Sequence, residues 1–473
     1  MKYKKINKKR LFFVFSVVAI GICFWLVLNI RRHKFDFKAF KDSNIILVGI
    51  DTCRQDHMSC FGYELDTTPN LKTLAQDCIL FTNTISQSPW TLPSFASIFT
   101  STYPSVHRAR GKAEGDKFYP IIGSLNSGVE ILSSSGFKTK AYINGPYLAP
   151  AFGLSKGFDD YDYAHGSNAK IRRSDETVNR ALEWIKENSE EQFFLFLHFF
   201  DPHLNYDPPR RSLQRLMKLA GFEYSGTLKS PFFQLKEVRN NELLLSEQDW
   251  KFIQFLYDAE ISAVDESCGK LFRFLKANGL YDKSIIVVLS DHGEEFLDHG
   301  GFEHGHTLYD ELINIPLMIK MPSSIRAGEI ISHQVRLIDI MPTLLEILDM
   351  DIPESFQGES LLQLIKKGRE NEIWPAFSEE THWGDELKAV RESCYKFITN
   401  DALDAFQLYN LCSDPGEKKD LANTEKEKAR KMRRIIIRWM RSNLGRVNKM
   451  KGEQSVDLDK KTKESLRSLG YIK

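Results

Sequence analysis

Five mainly apolar runs recur along the chain: NIILVGI (44–50), KTKAYI (138–143), FFLFLHFF (193–200), SIIVVLS (284–290) and PLMIKM (316–321). Strands this apolar must be covered on both faces, and the stretches between them are long enough to supply the helices. That combination selects an α/β fold, a central mostly parallel sheet sandwiched by helices. Helices are expected over 69–77, 94–101, 174–188, 247–277 and 338–348. Residues 207 to 246 carry mixed signals and read as an insertion over the surface. Beyond about 375 the pattern changes to short strands, a turn-rich SDPGEKKD and a charged helix over 424–443, which reads as a small C-terminal α+β subdomain.

The strands become informative where they stop. The first ends at Asp51, the third contains His198 and ends at Asp201, Pro202 and His203, and the fourth ends at Asp291 and His292. Ligands of open parallel sheets bind outside the carboxyl ends of the strands, so three strands deliver carboxylates and imidazoles to one edge. A lone aspartate there is commonly a turn former; three such ends, two with histidine, indicate a site. Carboxylate plus imidazole is the donor set of a divalent cation such as calcium, magnesium, manganese or zinc. Asp51, Asp291 and His292 supply three ligands, and a cation would relieve the repulsion between buried aspartates. FLDHGGFEHGHTLYDE adds His299, His304 and His306. With His203 these are candidates to bind a leaving group, donate its proton or hold a second metal. Asp201 and His203 are close enough to share one role.

The segment SPWTLPSFASIFTS (88–101) supplies a candidate fourth ligand, Thr91. Threonine two residues before proline is an ordinary helix start, with the hydroxyl capping a helix that begins at 92 or 93. A hydroxyl beside a divalent cation is also acidified into a nucleophile, and a helix N-terminus favours an anion. The two roles are compatible.

Residues 1–41 hold 11 Lys and Arg against one acid, Asp36, whereas the rest carries 53 basic and 62 acidic residues. An acidic body argues against nucleic-acid binding. The basic excess flanks LFFVFSVVAIGICFWLVLNI (11–30), an uncharged apolar run of bilayer length with no convincing cleavage site after it. The expected layout is a basic cytoplasmic segment (1–10), a single transmembrane anchor (11–30), a linker (31–43), a catalytic domain (44–374) and the C-terminal subdomain (375–473). The larger positive cluster precedes the span, placing the body outside the cytoplasm: periplasmic, extracellular or lumenal. The seven cysteines include no CxxC pair and reveal no pairing.

NIILVGIDTCRQDHMSCFGY, TTPNLKTLA, SPWTLPSFASIFTSTYPSVH, FLHFFDPHLNYDPP, LYDAEISAVDE, VVLSDHGEEF and HGHTLYDELINIPLMI occur in the order found in the sulfatase family of the alkaline phosphatase superfamily, which the chain resembles from residue 44 to its end. The resemblance implies an alkaline-phosphatase-like sheet, one divalent metal at its head, and hydrolysis of a sulfate or related ester on a glycan, lipid or small molecule. By motif, Asp51 and Asp291 match metal-binding aspartates, His292 stands where sulfatases commonly have Asn, Thr91 falls at the nucleophile, and His203 matches a histidine contacting the ester. His198, Asp201 and Asn144 are candidate substrate contacts. Four departures qualify the match. Thr91 replaces the Cys or Ser that becomes formylglycine, Phe95 replaces the motif's Arg, and Thr52 replaces a second metal-binding aspartate. INGPYL (143–148) replaces a Gly-Lys-Trp-His segment, removing a lysine that grips sulfate. A Thr nucleophile with Asp, Asp and His resembles the phosphodiesterases, phosphonate ester hydrolases and phosphoethanolamine or glycerol-phosphate transferases of the superfamily. The expected function is a membrane-anchored, metal-dependent hydrolase of sulfate, phosphate or phosphonate esters with Thr91 as nucleophile. The alternatives are a head-group transferase and an inactive glycan-binding member.

Overall fold

Asn44–Ile50 forms β1 at the centre of the sheet, and all seven residues are buried. The other strands are β2 (Ile79–Ile85), β3 (Lys138–Ile143), β4 (Asp160–Tyr163), β5 (Phe193–Phe199), β6 (Ser284–Ser290), β7 (Asn314–Lys320), β8 (Glu329–Ile331) and β9 (Val335–Arg336). Their order is β8-β2-β7-β6-β1-β5-β3-β4, with β9 also paired to β2. In the computed structural model, residues 40–112, 117–164, 171–228, 238, 243, 245–367, 374–450 and 455–469 are described. The expected anchor at 11–30, the segment before it and most of the linker lie outside these. Among the described residues no helix is long and apolar enough to cross a membrane.

Strand alternation splits β1 between two cores. Ile45 and Leu47 pack with Phe95, Phe99 and Leu344, whereas Ile46, Val48 and Ile50 pack with Val178, Val264 and Leu271. Each such fully buried side chain contributes about 1.5–3 kcal/mol of transfer free energy. One face is covered by α1 (Pro69–Ala75), α3 (Ser174–Glu187) and α4 (Glu247–Ala277), the other by α2 (Thr91–Thr100) and α5 (Ile340–Ile347). Gly49 has no side chain for a packing reason: a Cβ there would stand 2.8 Å from the Phe95 ring and 3.3 Å from Phe196.

The sheet is mostly parallel as expected, and three details go beyond or correct the sequence reading. The sheet holds β2, a strand not among those expected, because its second half, Thr82-Asn83-Thr84, interrupts the apolar run. The strand expected at 316–321 runs antiparallel to both neighbours, β2 and β6. Its reversal brings the loop 293–313 back to the same sheet edge as Asp51 and Asp291. Finally, α2 starts at Thr91 and not at 92 or later; Trp90 is its N-cap residue, so Thr91 is the first helical residue rather than the cap.

The motifs before and within α4 hold that face together. Ser246 and Asp249 form a reciprocal capping box at the start of α4. Farther along, Asp265 accepts from the Asn70 and Leu71 N–H groups (3.0 and 2.7 Å), capping α1 from a neighbouring helix. In the 207–246 insertion, the helix Arg210–Ala220 packs Leu216 against Phe255 and Ala259 of α4. Strands β10 (Ala376–Glu379), β11 (Leu387–Glu392), β12 (Tyr395–Asn400) and β13 (Phe406–Asn410) form an antiparallel sheet in chain order. Val390, Phe397 and Leu408 meet Met432, Ile436 and Trp439 of α6 (Lys426–Val447). A disulfide joins Cys394 to Cys412.

Candidate active site

Asp51 leaves β1 with its N–H bonded to the Phe199 carbonyl (2.9 Å), and Asp291 and His292 leave β6 beside it. Ser290 ties the two exits together. Its Oγ accepts from the Cys53 N–H (2.9 Å) and lies 2.7 Å from the carbonyls of Ile50 and His292. Ligand atoms of Asp51, Asp291 and His292 all fall within 4.8 Å of one another, and all three residues are fully buried. Among the described residues, none hydrogen-bonds either carboxylate oxygen of Asp51 or Oδ2 of Asp291. His292 commits Nδ1 to the Gly293 carbonyl (2.9 Å), which leaves Nε2 on the cluster side, 3.4 Å from Asp51 Oδ1 and from Asp291 Oδ2.

Electrostatics agree with the geometry. Burial pushes Asp291 up to about 8, and the Asp51 charge adds to that push. Burial opposes ionisation of Asp51 as well, but His198 and His292 outweigh it and hold Asp51 well below the usual carboxylate range. His198 Nε2 stands 3.3 Å from Asp51 Oδ2. Two carboxylates this close cannot both ionise cheaply without a cation between them. Bare oxygens, an oriented imidazole and this mutual repulsion fit a divalent metal.

Thr91 Oγ1 lies 3.3 Å from His292 Nε2, and the residue is 2 % exposed. Ser86, at the end of β2, puts its Oγ within hydrogen-bonding distance of the Asp291 carbonyl, the Ser88 carbonyl and Ser94 Oγ, which fixes the approach to α2 against β6. Phe95 packs edge-on to His198 with ring centroids 5.2 Å apart. Thr52 adopts φ +53°, a left-handed conformation costly for a β-branched residue. Its carbonyl accepts from Tyr257 of α4 (2.6 Å), whose hydroxyl in turn accepts from the Arg54 N–H.

The remaining candidates divide. His203 stacks on Phe200 (4.2 Å) and meets the His304 ring edge-on at 4.9 Å; His304 lies 4.5 Å from the His292 ring. His203 also lines a cavity of about 640 Å³ with Asp201, Arg172, Arg173 and Leu469. His306 instead bonds Glu295 Oε2 (2.7 Å), and His299 bonds Glu311 (2.6 Å) and stacks on Tyr309. Asp201 accepts from Ser174 at the start of α3. Asn144 donates to Thr177 Oγ1 and the His198 carbonyl and accepts from Arg172, so its polar groups are engaged within the protein.

Sequence reasoning missed two contributors. Glu294 is fully buried and bonds both His304 Nδ1 (2.8 Å) and Tyr206 OH (2.9 Å). Its signal was the acidic pair Glu294-Glu295, one residue beyond Asp291-His292. The other is the segment before β11. Trp90 Nε1 donates to the Glu380 carbonyl (2.6 Å), and the His382 and Trp383 N–H groups donate to the Gly305 carbonyl (2.7 and 2.9 Å). The C-terminal subdomain thus braces both the Thr91 helix and the His304 loop. No spacing in the sequence announces this contact.

Comparison with known proteins converges on one family. Residues 43–350 match the family described as Sulfatase, and residues 298–443 match the C-terminal family of N-sulphoglucosamine sulphohydrolase. Arylsulfatase K of Xenopus laevis is 23% identical over 427 residues, covering 78% of this chain and 77% of that protein. Among solved structures, an enzyme in complex with its substrate D-glucosamine-2-N,6-O-disulfate superposes with a TM-score of 0.70 at 20% identity, covering 85% of this chain and 98% of that one. The phosphonate monoester hydrolase of Agrobacterium radiobacter gives 0.69 at 20% identity, covering 89% and 98%. The chain belongs to the sulfatase family of ester hydrolases.

Proposed function

We propose that this protein is a metal-dependent hydrolase of phosphate or phosphonate esters borne on a glycan, a lipid head group or a small molecule, with Thr91 as its nucleophile. The observation that carries the reading is the Thr91 hydroxyl, buried 3.3 Å from His292 Nε2 at the head of a cluster suited to a cation. Asp51, Asp291 and His292 would hold the metal. When bound, a divalent cation lowers the pKa of a nearby hydroxyl and offsets the charge of an ester oxyanion. Thr91 Oγ1 forms a bond to phosphorus as the bond to the leaving oxygen breaks, and the hydroxyl proton departs with the alcohol. Water then attacks phosphorus, the bond to Oγ1 breaks, and Thr91 recovers its proton. His203, which lines the 640 Å³ cavity, and His304, whose ring meets it, would contact the ester and carry that proton.

The choice of phosphorus over sulfur rests on chemistry. A secondary alcohol cannot become formylglycine, because its oxidation gives a ketone. A sulfo-threonine then lacks the elimination that frees sulfate from a formylglycine hydrate. A phospho-threonine is cleaved by positioning and charge stabilisation. The resemblance to a phosphonate monoester hydrolase supports this reading, and the disulfated glucosamine bound by the other neighbour supports a carbohydrate carrier.

The body is proposed to face outside the cytoplasm on a single anchor at 11–30. The flanking basic residues support this, as does the Cys394–Cys412 disulfide, a bond favoured by oxidising compartments. The test compares p-nitrophenyl phosphate, phenylphosphonate and p-nitrophenyl sulfate after metal removal and resupply. Metal-restored turnover of phosphorus esters, lost in Thr91→Ala, is expected. Sulfate turnover surviving Thr91→Ala would overturn the assignment, and no turnover of any ester would favour a transferase or a binding protein.

A further inference from the structure

Glu294 is a fully buried acid that the hydrolytic scheme leaves unused, and it sits at the meeting point of three separate sequence segments. Tyr206, three residues beyond the DPH turn, donates its hydroxyl to Glu294 Oε2 (2.9 Å). His304, from the loop that leads into β7, places Nδ1 2.8 Å from Glu294 Oε1. Arg54 fixes the backbone of the same residue, donating from Nη1 to the Glu294 carbonyl (3.0 Å) while held by Asp56 and Asp298. Both oxygens of one carboxylate are thus spent orienting other side chains, and neither Tyr206 nor Glu294 belongs to the cluster of Asp51, Asp291 and His292.

The place of His304 explains what such a brace accomplishes. Its ring contacts His292 on one side (4.5 Å) and His203 on the other (4.9 Å), and His203 lines the cavity that would receive the alcohol. An imidazole on a loop can rotate about two torsions, and an ångström of misplacement at a reacting centre costs far more than the bond that prevents it. With Nδ1 held 2.8 Å from Glu294, rotation of the ring is restrained, and a carboxylate acceptor there selects the tautomer protonated on Nδ1.

We propose that Glu294, itself braced by Tyr206, is the positioning residue that fixes the tautomer and ring orientation of His304 for ester hydrolysis. This rests on the Proposed function, in which His304 meets the ester. It predicts that Glu294 acts only through His304.

The test is steady-state kinetics of the full chain on p-nitrophenyl phosphate and phenylphosphonate, with bound metal and melting temperature measured for every variant. Glu294→Ala should lower kcat by roughly 10- to 100-fold with little change in KM and no loss of metal. Glu294→Gln, whose carbonyl still accepts from Nδ1, should recover part of that loss, and Tyr206→Phe should give a smaller fall. In a His304→Ala background, Glu294→Ala should add almost nothing, because its partner is gone. Independent, multiplying losses, or an unchanged kcat in folded Glu294→Ala, would overturn the proposal. If Glu294→Ala does not fold, Glu294→Gln and Tyr206→Phe in both backgrounds decide the question in the same way. Absence of turnover in the unaltered protein would instead contradict the hydrolase reading itself, so the two failures are distinguishable.

Discussion

A threonine hydroxyl is a weak nucleophile at neutral pH, so the surroundings of Thr91 decide whether it reacts. Those surroundings are unusually specific: the first turn of a helix, His292 Nε2 3.3 Å away, and a buried carboxylate pair in which only Asp291 Oδ1, held by the His292 N–H, has a hydrogen bond among the described residues. Thr91→Ser should keep measurable turnover, whereas Thr91→Ala should lose at least about a thousandfold with its melting temperature nearly unchanged. His306 makes a contrasting case. Burial opposes its protonation, but Glu295 at 2.7 Å outweighs that and raises His306 above its ordinary value of 6.5. The folded protein therefore binds this proton more tightly than the unfolded chain. The stabilisation is complete below the unfolded value and is lost as pH rises through the folded one. His306→Gln should cost about 1 kcal/mol at pH 6 and less at pH 9, read by denaturant titration at both. Equal costs at the two pH values would show that the ion pair contributes nothing.

Among the elements, β1 and α2 are coupled more tightly than their sequences suggest. Phe95 occupies the space above Gly49, two residues before Asp51, and also packs edge-on to His198. Gly49→Ala should destabilise by about 1–3 kcal/mol through overpacking and should weaken metal retention by moving Asp51; calorimetry and metal analysis check the two effects separately. Asp265→Ala removes a cap supplied across helices and should cost about 1–2 kcal/mol by urea unfolding. The long apolar strands were legible because burial on both faces leaves an unbroken apolar run, and Asp51, Asp291 and His292 because they terminate such runs. Strand β2 was not, since Thr82, Asn83 and Thr84 break its pattern although Thr84 is buried. The division among the four loop histidines was also hidden. His299 and His306 differ from His203 and His304 only in which glutamate or aromatic ring the fold brings to them, a tertiary fact with no local trace.

Across the whole molecule, the C-terminal subdomain is joined to the catalytic edge by more than proximity. Ser378 Oγ donates to the Ser86 carbonyl, the Glu379 N–H donates to Gln87, and Gly305 takes two N–H groups from 382 and 383. The change of pattern near 375 coincides with the start of the antiparallel sheet at Ala376, but the contact of that segment with the Thr91 approach came only from the structure. The disulfide closes a separation of 18 residues within it. Replacing Cys394 and Cys412 with Ser should remove about 3 kcal/mol of stability and lower turnover together, as measured by thermal unfolding and by activity at matched temperature. A stability loss with turnover intact would show that the brace is dispensable for chemistry.

The most direct measurement is intact-mass and peptide mass spectrometry of the metal-loaded protein quenched in acid during turnover of a slow phosphonate or phosphate ester. A covalent phosphoryl or phosphonyl adduct on Thr91, absent after metal removal, is the predicted result. An adduct on another residue, or burst-free turnover with Thr91 never modified, would contradict Thr91 as the nucleophile.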